Sequence, residues 1–190
     1  MRKDAKTKYD IHEVLKKRYS PRAFSVETVE DEYLNRMLEA ARWSPSAFND
    51  QPWRFIVGVK TKGETYHKIF DSLSEFNQIW CKNVPVLIVV CTGKISARTG
   101  EENKYRLYDA GQAVAHLTFQ AASDDLFVHQ MAGVDRNQIS KSLNLPDDIE
   151  PYVVIAVGHL GNYLELPEKM QQIELAERVR KPFEDIILTY

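Results

Sequence analysis

Apolar positions along this chain switch between a helical and an alternating period, and each switch marks an element. Ile11, Val14 and Leu15 fall at helical spacing and predict a first helix over about 9–18. Thr28-Val29-Glu30-Asp31 has the form of a capping box, with Leu34, Met37, Leu38 and Ala41 following at helical spacing. That second helix should stop before Ser44-Pro45, because a proline disfavours helical geometry in the residue before it. Residues 53–59 and 85–91 are rich in β-branched and aromatic side chains and predict two strands. Between them Tyr66, Ile69, Phe70 and Leu73 mark another helix.

The longest helical pattern covers 104–123, with Leu107, Ala110, Val114, Leu117 and Ala121 on one face. Gly111, Ala110, Ala113 and Ala115 make this helix thin, which suits a central position or a subunit contact. A third strand is predicted over 126–131, a short helix over 138–143 and a fourth strand over 152–158. The tail is helical from 168 and changes character at Lys181-Pro182. No repeat, low-complexity tract or linker interrupts the pattern. It predicts one α+β domain over 1–190, with helices outnumbering strands and 1–8 as a mobile arm.

Composition narrows the function. A net charge of −2 argues against a general polyanion binder, so no nucleic-acid partner is expected. Cys81 and Cys91 have no paired-cysteine spacing, and Cys91 ends the apolar run from Val86, as a buried reduced thiol would. The polar, basic start has no apolar signal region, and no apolar run reaches membrane-span length. A cytoplasmic protein with no membrane association is the expectation.

Arginine supplies the candidate chemistry. Arg18-Tyr19-Ser20-Pro21-Arg22 and Arg178-Val179-Arg180-Lys181 lie near opposite ends of the chain. Guanidinium forks match phosphate oxygens and keep their charge, so the two clusters suggest one anionic ligand gripped where the ends meet. P-loop, GxGxxG and GxSxG patterns are absent, and the five histidines lack metal-ligand spacing, so no metal site is expected. Asp124-Asp125 and Asp147-Asp148 read as helix-end and turn residues. The loop Ser44 to Trp53 packs Asn49 and Gln51 between Pro45 and Pro52. Its plain reading is a capped turn, while its amides also suit a planar, amide-bearing ring such as a flavin.

Arg18-Tyr19-Ser20-Pro21-Arg22-Ala23-Phe24 followed by Ser44 through Phe55 resembles the paired N-terminal signature of the FMN-dependent nitroreductase family. Asp109 to Ala115 is similar to the family's small-residue central helix, and Met131-Ala132-Gly133-Val134-Asp135 to its flavin loop. Gly158-His159-Leu160-Gly161 and Arg178 to Pro182 resemble its later motifs, so the likeness spans about 11–183. The resemblance implies a central, mostly antiparallel sheet flanked by helices, in an intertwined homodimer with FMN at the interface. By resemblance, Arg18, Ser20, Arg178 and Arg180 hold the FMN phosphate, with Tyr19 beside them. Arg22 approaches the N1/O2 edge of the ring and tunes it. Asn77 bonds the pyrimidine edge, or is simply a helix-end cap. Met131, Ala132 and Gly133 lie near N5, and Pro45, Ser46 and Asn49 come from the second subunit.

The same resemblance implies a ping-pong oxidoreductase. NADH or NADPH gives hydride to flavin N5, and a nitroaromatic or quinone takes it away, with no catalytic side chain required. Ile79 and Trp80 stand where some members carry a second cation, and Ala132 where many carry an acid. The chain also lacks the long insertions of larger relatives. Alternatives within the resemblance are another flavin reaction, such as dehalogenation or oxidation, and a non-catalytic flavin-binding dimer.

Overall fold

The computed structural model describes residues 3–189. Its helices are α1 (Glu13–Lys17), α2 (Asp31–Arg42), α3 (Thr65–Asp71), α4 (Glu75–Cys81), α5 (Arg106–Ser123), α6 (Arg136–Ser142) and α7 (Glu168–Leu175). The strands β1 (Trp53–Val59), β2 (Val86–Gly93), β3 (Phe127–Met131) and β4 (Ile149–Gly158) form one sheet in the order β1-β2-β4-β3. Every neighbouring pair is antiparallel, so the chain has the α+β architecture its pattern predicts.

The unbroken apolar run of β2 follows from its central position. Val86, Ile88 and Val90 enter one core with Ala113, Val114 and Leu117 of α5 and Met37 of α2. Leu87, Val89 and Cys91 enter the other, against Tyr66, Ile69, Trp80 and Cys81 of α3 and α4. A strand covered on both faces needs no polar alternation. Pro151 cannot donate to a ladder, and the register between β2 and β4 slips next to it, at Val90/Cys91.

Several boundaries differ from the sequence pattern for local reasons. α1 is shorter than 9–18: the His12 ring accepts from the Val14 N–H at its start, and none of its residues is fully buried. The Thr28 capping box does not form, because α2 begins at Asp31 with Glu30 as its N-cap and no side-chain cap bond. Leu107 is exposed rather than on the core face of α5, where Asp109 is buried instead. α4 was not predicted. It is two turns long, and only Asn77, Trp80 and Cys81 on it are buried.

The N-terminal residues expected as a mobile arm are tied down where they are described. Ala5 N–H donates to the Lys16 carbonyl at 2.9 Å, Lys3 to the carbonyls of Glu174 and Ala176, and Lys6 pairs with Glu177. Beyond α1 the chain runs along the sheet edge. Ser25 N–H bonds His159 O and Gly161 N–H bonds Ala23 O, both at 2.9 Å, around the Phe24–Leu160 bridge. His129 of β3 fixes the same stretch through a 2.8 Å bond between Nδ1 and the Pro21 carbonyl. That carbonyl accepts, so Nδ1 carries the proton of a neutral ring.

Two measurements test this edge. A Cβ on Gly161 would lie 2.5 Å from the carbonyl carbon and oxygen of Phe24, so backbone must move. Gly161→Ala should cost about 1–3 kcal/mol of stability by urea unfolding. Burial, then the Arg22 charge, hold His129 down at about 4, against the opposing bond from Pro21. The unfolded chain therefore binds the extra proton between about pH 6.5 and 4, and stability falls as pH drops through that window. The urea midpoint should fall less steeply there in His129→Gln.

Candidate cofactor site

Period-two alternation builds the N-terminal half of the site. In the stretch after α1, Tyr19 and Pro21 are buried, while Arg18, Ser20 and Arg22 take the opposite, accessible side. The Tyr19 ring packs edge-on against Phe127 at 5.3 Å and anchors this alternation. Burial, then Glu174, push its phenol up to about 12, so it stays neutral. Arg18 Nη1 lies 3.4 Å from Ser20 Oγ, and Arg22 continues the same row.

The C-terminal arginines arrive at this row as the sequence clusters predicted. Arg178 donates to the carbonyls of Lys3 at 2.6 Å, Lys16 at 2.8 Å and Arg18 at 2.7 Å. One guanidinium thus joins the N-terminal segment, the end of α1 and the residue that opens the row. Burial, then repulsion from Arg178 and Arg180, pull the Arg18 guanidinium below its ordinary value. Arg178 is lowered in the same way, by burial first and then by Arg180. Among the described residues no carboxylate forms an ion pair with any of the three. Asp4 acts on Arg178 only through space. Three neighbouring cations with no directly paired carboxylate are costly to hold together, and a phosphate-sized anion relieves that cost.

At the far end of the row, Arg22 is held by its backbone, which donates to the buried Glu174 carboxylate at 2.8 Å. Its guanidinium carbon lies 5.8 Å from the centre of the half-exposed Phe76 ring. Its Nε is buried without a hydrogen-bond partner. A buried, unmet donor in such a place is explained by a missing acceptor.

Beside Phe76, Asn77 Nδ2 donates to Gly133 O at 3.0 Å, and its Oδ1 accepts from the Trp80 indole at 3.2 Å. The helix-end-cap alternative for Asn77 does not hold, since it lies inside α4. Trp80 is a core residue whose ring centre lies 4.6 Å from that of His129. A Cβ on Gly133 would meet Ser74 Oγ at 2.9 Å and Asn77 Nδ2 at 3.0 Å, so a larger residue here would push these two side chains aside. Met131 is buried beneath, while Ala132 and Gly133 are exposed.

Pro45, Ser46 and Asn49 are elsewhere. Their loop precedes β1, whose Trp53 pairs with Thr92, which in turn pairs with Glu150. The Arg18–Phe24 stretch lies by Phe127 and Leu160, at the opposite end of the sheet. One chain therefore does not bring the two halves together. The loop is nevertheless shaped: Ala47 N–H donates to the buried Asp109 at 3.1 Å, and Gln51 N–H to Ser46 Oγ at 3.1 Å.

The sequence pattern did not single out Glu174 or Phe76, and it set no one histidine apart, whereas His129 bonds the Pro21 carbonyl. Glu174 carries no sequence signal, being one acid on a polar helix. Phe76 was findable from its spacing to Trp80. Among the described residues no group of three or more His, Cys, Asp or Glu side chains could hold a metal ion. No helix there is long and apolar enough to cross a membrane.

Comparison with known proteins places this arrangement. The model of the Nitroreductase family matches residues 15–77, which hold the arginine row, the 44–52 loop and Asn77. A protein of Archaeoglobus fulgidus, provisionally named NADH dehydrogenase/NAD(P)H nitroreductase, is 37% identical over 75% of this chain and 80% of its own length. A Methanothermobacter thermautotrophicus protein of the same provisional name is 32% identical over 80% of this chain and 78% of its own. A crystal structure described as an oxidoreductase containing FMN superposes with a TM-score of 0.88 at 32% identity, covering 96% of this chain and 92% of that one. The chain belongs to the nitroreductase family of oxidoreductases.

Proposed function

We propose that the protein is an FMN-dependent NAD(P)H oxidoreductase acting on nitroaromatic, quinone or related acceptors. The observation that carries this reading is a cluster of cations at one end of the Arg18–Arg22 row and an unmet donor at the other. Arg18, Arg178 and Arg180 gather without a paired carboxylate among the described residues, and Arg22 Nε is buried with no hydrogen-bond partner. Their chemistry fits a ligand with a phosphate at one end and an acceptor-rich ring at the other. FMN, held there by these residues, would supply two-electron chemistry linking NADH or NADPH to the acceptor.

The chain's own residues bind and orient. Arg18, Ser20 and Arg180 offer donors to the phosphate, while Arg178 spends three N–H groups on carbonyls and adds mainly charge. Tyr19 keeps the row flat against β3. Arg22 offers Nε to the N1/O2 edge of the ring, and its charge favours the reduced, more anionic state. Asn77, itself fixed by Trp80, serves the pyrimidine edge, and the exposed Ala132 and Gly133 backbone over Met131 serves N5. Pro45, Ser46 and Asn49 complete the site from a second copy in a homodimer. Two observations support that assembly. The loop lies at the far end of its own sheet, and Gly111 has nothing within 4 Å of its would-be Cβ although small residues line that helix. A cytoplasmic single-domain protein is the corresponding whole.

Holoprotein should be yellow and should bleach when mixed anaerobically with NADH or NADPH in a stopped-flow instrument. Protein that binds no added FMN would contradict the reading. Bound FMN that neither nicotinamide reduces would favour another flavin reaction or a non-catalytic dimer. In Arg22→Ala the midpoint potential should fall by on the order of 30 mV, the equivalent of about 1.4 kcal/mol for two electrons; an unchanged potential would remove Arg22 from its role.

A further inference from the structure

Phe48 projects from the 44–52 loop with 72% of its surface exposed. Its backbone is left-handed at φ 55°, as are those of Asn49 at 58° and Gln51 at 48°. Such geometry is uncommon for non-glycine residues, and a run of it persists only where surrounding contacts impose it. Asp50 supplies them. Its Oδ1 accepts from the Ala97 N–H at 3.0 Å and its Oδ2 from Asn103 Nδ2 at 2.5 Å. The segment it grips is a hairpin closed by the Ile95–Glu102 bridge, with Ser96 N–H bonded to Glu101 O at 2.8 Å and Gly100 N–H to Ser96 O at 2.9 Å.

This hairpin carries Arg98 onto Phe48. The guanidinium carbon lies 4.4 Å from the ring centre, one of the two shortest such contacts among the described residues. Arg98 N–H is fixed to Ser96 Oγ at 3.2 Å. Glu101 and Glu102 are on the same hairpin, yet among the described residues no carboxylate forms an ion pair with Arg98. The result is a charged fork stacked on the ring, with its N–H edge open to solvent, beside an exposed aromatic side chain.

We propose that the Phe48–Arg98 pair is a specificity determinant selecting planar aromatic acceptors that bear a carboxylate or similar anionic group. The proposal rests on the reading that loop 44–52 closes the flavin site of a second copy. The acceptor ring packs against Phe48, and its anionic group receives the open edge of the Arg98 guanidinium. Asp50 makes loop and hairpin one unit.

The test uses holoenzyme and an isosteric pair of probes, 4-nitrobenzoate and 4-nitrobenzamide. Calorimetric dissociation constants for the oxidised holoenzyme should favour the carboxylate by about threefold to tenfold, as expected for one partly exposed charged contact. Arg98→Gln should bring the ratio near one, and Arg98→Lys should keep part of it. Raising ionic strength from 0.15 M toward 1 M should shrink the wild-type ratio, since salt screens such a contact. The kcat/KM ratio for the two acceptors should follow the binding ratio. Equal ratios in wild type and Arg98→Gln, or no binding of either probe, would overturn the proposal. Failure of the reductase reading is separate: it would leave the binding preference intact while neither nicotinamide is oxidised.

Discussion

The clasp that Arg178 makes on three backbone carbonyls is the contact on which the site depends. It fixes the C-terminal cluster directly to Arg18, where the other links of this tail run through Lys3, Lys6 and Glu174, and without it Lys3, Lys16 and Arg18 lose a shared donor. Carbonyl oxygens are a weak counter-charge, so the clasp positions the arginines without neutralising them. A carboxylate in the same place would have stabilised the tail more and removed the reason to bind an anion. The fold thus tolerates partial burial of Arg18 and Arg178 and, after it, mutual repulsion with Arg180, both of which lower the two guanidinium groups.

The rest of the site follows from a strand-like row laid along a rigid sheet edge. Tyr19 and Pro21 face the protein, so alternation turns Arg18, Ser20 and Arg22 to one side. Phe127, His129 and Gly161 each hold a different point of that row, and Glu174 holds the Arg22 backbone. The dense support explains how Arg22 Nε can remain buried and unmet in the free chain. Elements that fix a group against its own hydrogen-bonding preference are how a binding site is preorganised.

Most of the sheet was legible in the sequence because β2 and β4 bury both faces and so carry unmistakable apolar runs. β1 was readable to the residue, since Pro52 precedes it and β-branched residues fill it. The arginine clusters were legible as a pair, although the clasp through backbone carbonyls was not: no sequence pattern marks a carbonyl as an acceptor. α4 was hidden by its two-turn length, and the N-terminus of α2 by a Thr28 box that the backbone does not use. Leu107 misled because an exposed leucine and a core leucine look alike in a periodic pattern. The partnership of Phe48 with Arg98 depends on a hairpin held by Asp50, which spacing alone cannot reveal.

Comparing FMN with riboflavin measures what the arginine row contributes to holding a phosphate. The two ligands share the ring and differ in the phosphate alone. Charge-assisted bonds of about 1.5–3 kcal/mol each predict that apoprotein binds FMN at least about a hundredfold tighter than riboflavin. Arg18→Gln should remove most of that preference while leaving riboflavin affinity near its wild-type value. Equal affinity of the wild-type protein for FMN and riboflavin would contradict that role of the row.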